Sequence, residues 1–324
     1  MADPTTASEA VALARRLESN LARVIIGKPE TLRLALVPLL CRGHLLIEDV
    51  PGVGKTTLAR ALARSIHGDI RRVQFTPDLL PMDLTGSSIF NQKTQEFEFA
   101  AGPVFTNILL ADEINRATPR TQSALLECME ESSVTIEGRT HGLPSVFFVM
   151  ATLNPVEHAG TFDLPETQLD RFMLRITMGY PSADEEVRIF DAQARRHPID
   201  DLKPVLSLDN VETLRRAVPD VHIDESVKQY AAAVVRATRE HEDVQLGASP
   251  RGTLHLLRAA QAHALLSESA FVTPDAIKAL APAVLGHRVL VRPQSALRGA
   301  GGADVVADLL RRIEVPIDRH DAGR

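Results

Sequence analysis

Five short runs of the chain are apolar almost without interruption: GHLLIED (43–49), RRVQF (71–75), NILLAD (107–112), SVFFVMAT (145–152) and RITMGY (175–180). A strand with one face in water alternates apolar and polar residues. Runs that do not alternate belong to a sheet covered on both faces, and such sheets are parallel and flanked by helices. The segments between them fit that demand. GKTTLARALARSI (54–66) carries apolar residues at helical spacing, and TQSALLECMEE (121–131) reads as a helix introduced by Thr118-Pro119. The first 180 or so residues therefore predict an α/β fold of βαβ units around a parallel sheet. Two pieces stand apart. Residues 83–100, with alternation around Phe97 and Phe99, predict an exposed insertion such as a small ribbon, and SSVTIEGRTHGLP (132–144) a hairpin turning at Glu137-Gly138.

Tyr180-Pro181-Ser182 ends this pattern. From Ala183 the chain reads as helical, over 183–196, 209–218, 224–241, 249–268 and 273–287, with N-cap signals at Asp224 and Thr273. RGAGGAD (298–304) is a short link before a last helix around 304–313. The expected division is an α/β core over 1–181 and an all-helical domain over 182–324, and 324 residues suffice for both.

Composition narrows the class. An apolar fraction of 44% and a charged fraction of 24% are those of a soluble globular chain. A net charge of −6 and the absence of Trp argue against a surface built for nucleic acid. Cys41 and Cys128 have no metal or disulfide spacing, no signal peptide is visible, and LALVPLL (34–40) is too short to cross a bilayer, so a cytoplasmic location is expected. His141, His158 and His287 show no metal-ligand spacing either.

The chemistry is concentrated at the ends of the apolar runs. EDVPGVGKTTLA (48–59) fits the phosphate-loop pattern G-x-x-x-x-G-K-[ST] from Gly54 onward, with Asp49 where the first glycine is expected. Gly52, Val53 and Gly54 form the tight turn, Lys55 reaches the outer phosphates, and Thr56 offers a hydroxyl to Mg²⁺. The Asp49 carboxylate must point away from the phosphates, because like charges repel. NILLADEINRA (107–117) ends an apolar strand in two acids, Asp112 to hold hydrated Mg²⁺ and Glu113 to orient and deprotonate the attacking water. Asn154, in VMATLNP, could position the water or the γ-phosphate, although an Asn before Pro155 is also an ordinary turn. Arg171, after LPETQLD, and Arg251, in SPRGT, are placed to stabilise charge on a transferring phosphoryl group, and most arginines are simply on the surface.

Taken together, VIIGK (24–28), EDVPGVGKTT, FTPDLLPMDLTG, FEFAAGPVF, LLADEINRATPRTQSALLECMEE, ATLNP, LPETQLDRF and GASPRGT resemble the MoxR family of AAA+ ATPases over about residues 15–290. An acid at the position of Asp49 is a habit of that family. The resemblance implies that ATP and Mg²⁺ are bound, with Lys55, Thr56 and the adjoining Thr57 in the phosphate-binding Walker A segment and Asp112-Glu113 as the Walker B acids. It implies Asn154 as sensor 1, Arg171 as a finger offered to the adjacent subunit, and Arg251 as sensor 2 from a helical lid. Arg116, Arg120 and Arg175 compete with Arg171 for the finger role. Ile25 and Ile26 would line the adenine, and the inserts at 83–100 and 132–144 would face a central pore. Implied partners are further copies in a ring, commonly a hexamer, a von Willebrand factor A-domain protein, and client proteins matured or activated by chaperone-like work, metalloenzymes among them. The competing expectations are an AAA+ nucleic-acid motor and an ATP-gated scaffold with little turnover.

Overall fold

The computed structural model describes residues 4–155 and 161–316; His158 lies outside them. The chain divides into two compact units, residues 7–215 and residues 216–316, the latter grouping with residues 4–6.

The first unit opens with two helices, α1 (Pro4–Ala22) and α2 (Pro29–Leu40), that the sequence reading did not anticipate. The signal for α1 was present: Ala10, Leu13, Ala14, Leu17 and Leu21, at helical spacing, are all buried. Strand β1 (Leu45–Glu48) follows, then α3 (Lys55–Ser65) and β2 (Ile70–Gln74). The expected insertion is a short helix, α4 (Pro81–Thr85), leading into an antiparallel ribbon, β3 (Gly86–Asn91) with β4 (Glu96–Ala101). Strand β5 (Ile108–Asp112) leads through a turn to α5 (Pro119–Glu131), with Thr118 at its N-cap position. The hairpin β6 (Ser133–Ile136) with β7 (Arg139–Gly142) turns at Glu137-Gly138, as expected, both at positive φ. Then come β8 (Phe148–Leu153), a short helix α6 (Glu166–Leu169), β9 (Leu174–Ile176), α7 (Ala183–Gln193) and α8 (Leu208–Ala217).

Strands β2, β5, β8, β1 and β9 form, in that order, one parallel sheet. The central three are buried along nearly their whole length, which is what the unalternating runs require. The consecutive strands β1 and β2 are separated by β5 and β8, so a crevice opens at the carboxyl end of β1, where α/β sheets bind ligands. Register places Gln74 beside Asp112, Ala111 beside Ala151, and Thr152 beside Ile47. The strand ends that carry polar residues are thereby brought into one row. The last strand is shorter than expected: it stops at Ile176, because the peptide groups of residues 178–180 are bonded to side chains instead of a ladder.

His44, at the head of β1, pins three elements together. Its Nδ1 accepts from the Val149 amide (3.0 Å) in β8, so the proton is on Nε2, which donates to the Met129 carbonyl (3.1 Å) in α5. Burial pushes its pKa down to about 4.

The second unit contains α9 (Glu225–Ala237), β10 (Val244–Leu246), α10 (Pro250–Leu266), α11 (Pro274–Leu285), β11 (Leu290–Val291), α12 (Pro293–Ala296) and α13 (Gly302–Arg312). Asp224 and Thr273 cap α9 and α11 as expected, accepting from the Ser226 and Ala276 amides. β10 and β11 pair as a small antiparallel ribbon that the sequence reading did not foresee.

Candidate active site

A cavity of about 360 Å³ lies at the carboxyl ends of β2 and β5, lined by Pro51, Gly52, Gly54, Lys55, Thr56, Thr57, Arg72, Gln74, Asp112 and Glu113. Residues from three separate stretches of the sequence meet there. Gly52 (φ +87°) and Gly54 (φ +96°) adopt the left-handed conformation that other residues resist. A Cβ added to Gly52 would meet nothing within 4 Å, so open space stands directly before the backbone. Helix α3 begins at Lys55, and its first N–H groups and positive dipole end belong to this turn. Val53 is in the turn but does not line the cavity.

The Asp49 carboxylate is buried (5% exposed) and takes three backbone N–H groups: Oδ1 accepts from Val50 (2.8 Å), and Oδ2 from Met178 and Gly179 (2.6 Å each). Its carbonyl accepts from Lys55 Nζ (2.8 Å). The acid at the first glycine position is therefore a tie between the phosphate loop and the segment after β9.

The two acids are held by partners that sequence reasoning missed. Thr152, at the end of β8, donates its hydroxyl to Asp112 Oδ1 (2.6 Å) and accepts from the Glu113 amide (2.8 Å). Asp112 Oδ2 is paired with Arg72 (2.8 Å). Glu113 Oε2 accepts from Gln74 Nε2 (2.7 Å) and Arg116 (3.0 Å). Glu113 is itself at φ +58°, a conformation costing about 1–3 kcal/mol for a residue with a side chain, and the Thr152 bond helps to hold it. Gln74 and Thr152 were findable, since both end apolar strands neighbouring the one that carries the acids. Arg116, weighed as a finger, is engaged with Glu113 of its own chain.

The other expected site residues lie outside this cavity. Asn154 is buried (6% exposed) and lines an adjacent cavity of about 320 Å³ together with Glu48 and Arg175, which are ion-paired at 2.9 Å. Arg171 lines a third cavity, of about 620 Å³, and pairs with Glu130 (3.2 Å). That space is larger, but Glu127, Glu130 and Glu131 surround it, which makes it no place for a triphosphate. Ile25 is buried and Ile26 half-buried, in the turn before α2. Arg251 is exposed in the first turn of α10, in the second unit.

The residues present fit a Mg²⁺-bound triphosphate: the open cradle before Gly52, a lysine, a threonine hydroxyl and a carboxylate line one space. Among the described residues no cluster of three or more His, Cys, Asp or Glu could hold a metal alone.

A parallel sheet in this order, with a glycine turn, lysine and paired acids in one crevice, defines an ATPase of the AAA+ class. Residues 44–174 match the family described as "ATPase family associated with various cellular activities (AAA)", and residues 236–309 match the "AAA lid domain". The chain is 52% identical over 297 residues to the uncharacterized protein YeaC of Bacillus subtilis, covering 92% of this chain and 93% of that one. It is 40% identical over 303 residues to the chaperone MoxR1 of Mycobacterium tuberculosis, covering 91% and 80%. A crystal structure from Cytophaga hutchinsonii, of a protein described provisionally as an ATPase, superposes with a TM-score of 0.90 at 34% identity, covering 97% and 98%. The chain belongs to the MoxR family of AAA+ ATPases, and it hydrolyses ATP.

Proposed function

We propose that the protein couples ATP hydrolysis to chaperone-like remodelling of client proteins, working as a ring in which each active site is completed by the neighbouring copy. The observation that carries the proposal is the distribution of its cations. Lys55 and Arg72 line the cavity with Asp112 and Glu113, Arg72 tied to Asp112, whereas Arg171 lies outside it beside Glu130. Phosphoryl transfer needs positive charge around the equatorial oxygens, and an arginine absent from its own site can serve a neighbour's.

In this account the backbone of Gly52–Thr57 cradles the phosphates and Lys55 holds the outer ones, while Ile25 and Ile26 contact the adenine. Thr56 and Asp112 would hold Mg²⁺, which when bound neutralises charge on the phosphate oxygens. Glu113 orients and deprotonates the attacking water, Asn154 assists in placing it, and Arg251 reports nucleotide state to the lid, which we place from residue 182 onward. The ring would be a hexamer with Arg171 acting in trans. The name borne by the mycobacterial relative supports a chaperone role. A von Willebrand factor A-domain partner, metalloenzyme clients and a cytoplasmic site of action complete the proposal. No helix of the described residues is long and apolar enough to cross a membrane.

Complementation tests the ring. Arg171→Ala keeps its acids but lends no finger, and Glu113→Gln lends a finger but has no base. Each alone is expected to release phosphate at about 1% of the wild-type rate or less. Mixed under assembling conditions, they should recover a measurable fraction of turnover. No recovery from mixed assemblies verified by size would contradict action in trans.

A further inference from the structure

Two oppositely charged side chains grip one tripeptide from its two sides. Asp49 Oδ2 accepts the amides of Met178 and Gly179, both at 2.6 Å. Lys28 Nζ donates to the carbonyls of the same two residues and of Tyr180, with Gly179 and Tyr180 at 3.0 Å. Successive amides converging on an anion, and successive carbonyls converging on a cation, form a peptide-mediated salt bridge. Lys28 ends the turn that carries Ile25 and Ile26, and Asp49 begins the phosphate loop. Both are anchored further. Lys28 is held at φ +62°, and Gly27, at φ +71°, lies so close to Glu185 that an added Cβ would sit 1.9 Å from Oε1. On the other side the Asp49 carbonyl accepts from Lys55. The base-side turn and the phosphate loop, more than 20 residues apart in sequence, thus share one support.

We propose that Asp49 and Lys28 are positioning residues whose clamp on Met178–Tyr180 fixes the turn at 25–28 relative to the phosphate loop and thereby sets the affinity for the nucleoside part of ATP. This rests on the proposal above that Ile25 and Ile26 contact the adenine. It also gives a physical reason for an acid in place of glycine: a glycine at 49 would leave the amides of Val50, Met178 and Gly179 without their acceptor. Asparagine is a poor substitute, because an amide oxygen aimed at residues 178–179 turns its NH₂ group toward the Val50 N–H.

The test separates nucleoside from phosphate. KM and kcat for ATP, and the inhibition constant of inorganic tripolyphosphate with Mg²⁺, are measured for wild type, Asp49→Asn and Lys28→Met, with thermal melting to verify folding. The clamp predicts that both variants raise KM for ATP roughly tenfold or more, and that in Lys28→Met, which lies outside the phosphate loop, kcat and the tripolyphosphate constant change less than about threefold. If ATP and tripolyphosphate weaken equally in Lys28→Met, the clamp serves the phosphate loop alone and the proposal is overturned. An unchanged KM in folded variants also overturns it. A wild-type protein that binds tripolyphosphate as tightly as ATP would instead remove the adenine contact on which the clamp depends. Should Asp49→Asn fail to fold, Lys28→Met, on the half-exposed side of the clamp, makes the same comparison.

Discussion

Thr152 serves both acids at once, its hydroxyl donating to Asp112 and its oxygen accepting from the Glu113 amide. Thr152→Val keeps the shape and takes this partner from Asp112 Oδ1 and from the Glu113 N–H, while Asp112 Oδ2 keeps Arg72. The expected loss is about 1–3 kcal/mol of unfolding free energy and roughly tenfold or more in kcat, with Thr152→Ser restoring much of both. Denaturant titration and phosphate release check the two together; a valine variant with wild-type turnover would remove Thr152 from the arrangement. At this scale the sequence showed the chemically loud residues. Lys55, Thr56, Asp112 and Glu113 carry a motif because the reaction constrains their type and local spacing. Gln74 and Thr152 were findable as strand ends, but the bonds made by Thr152, Gln74, Arg72 and Lys28 were not legible, since each partner is about 40 to 150 residues away and only the fold brings them together. Asp49 was legible as an oddity, its partners were not.

Among elements, the five sheet strands could be read because burial on both faces leaves a visible apolar run. Their ends could not, as the 175–180 run shows: Met178 and Tyr180 look strand-like, yet their peptide groups answer to Asp49 and Lys28. The two inserts were readable as a ribbon and a hairpin, but not that Ser88 bonds Glu137 (2.9 Å) and Phe99 stacks on His141 (4.1 Å), which join them. His44 gives element packing a pH signature. Its pKa is about 4 in the folded protein, against 6.5 for a solvated histidine, so below about pH 6.5 the unfolded chain binds a proton that the folded chain refuses. Its contribution is whole above pH 6.5 and is lost as pH falls toward 4, on the order of 3 kcal/mol. The unfolding free energies of wild type and His44→Gln, measured by denaturant from pH 6.5 down to 4, should diverge by that amount in total; parallel curves would contradict it.

For the molecule as a whole, the end of the sheet strands near Tyr180-Pro181 was visible in the sequence, and the described sheet ends at Ile176, but the β10–β11 ribbon beyond it was not visible. Where the compact units part was not visible, because it depends on distant bonds. Arg215, in α8, donates to the carbonyls of Leu39 (2.9 Å) and Ser145 (2.8 Å) and so fastens the helical segment 183–215 to the α/β unit. Prior to any ring or client, the cavity between the glycine turn and the paired acids is expected to bind ATP and break it. Paired titrations of ATP binding and phosphate release on wild type and Glu113→Gln test it most directly. The expected result is an affinity changed by less than about threefold with hydrolysis reduced about a hundredfold or more. Glu113→Gln protein that hydrolyses ATP at the wild-type rate, or wild-type protein that binds no ATP, would contradict the account.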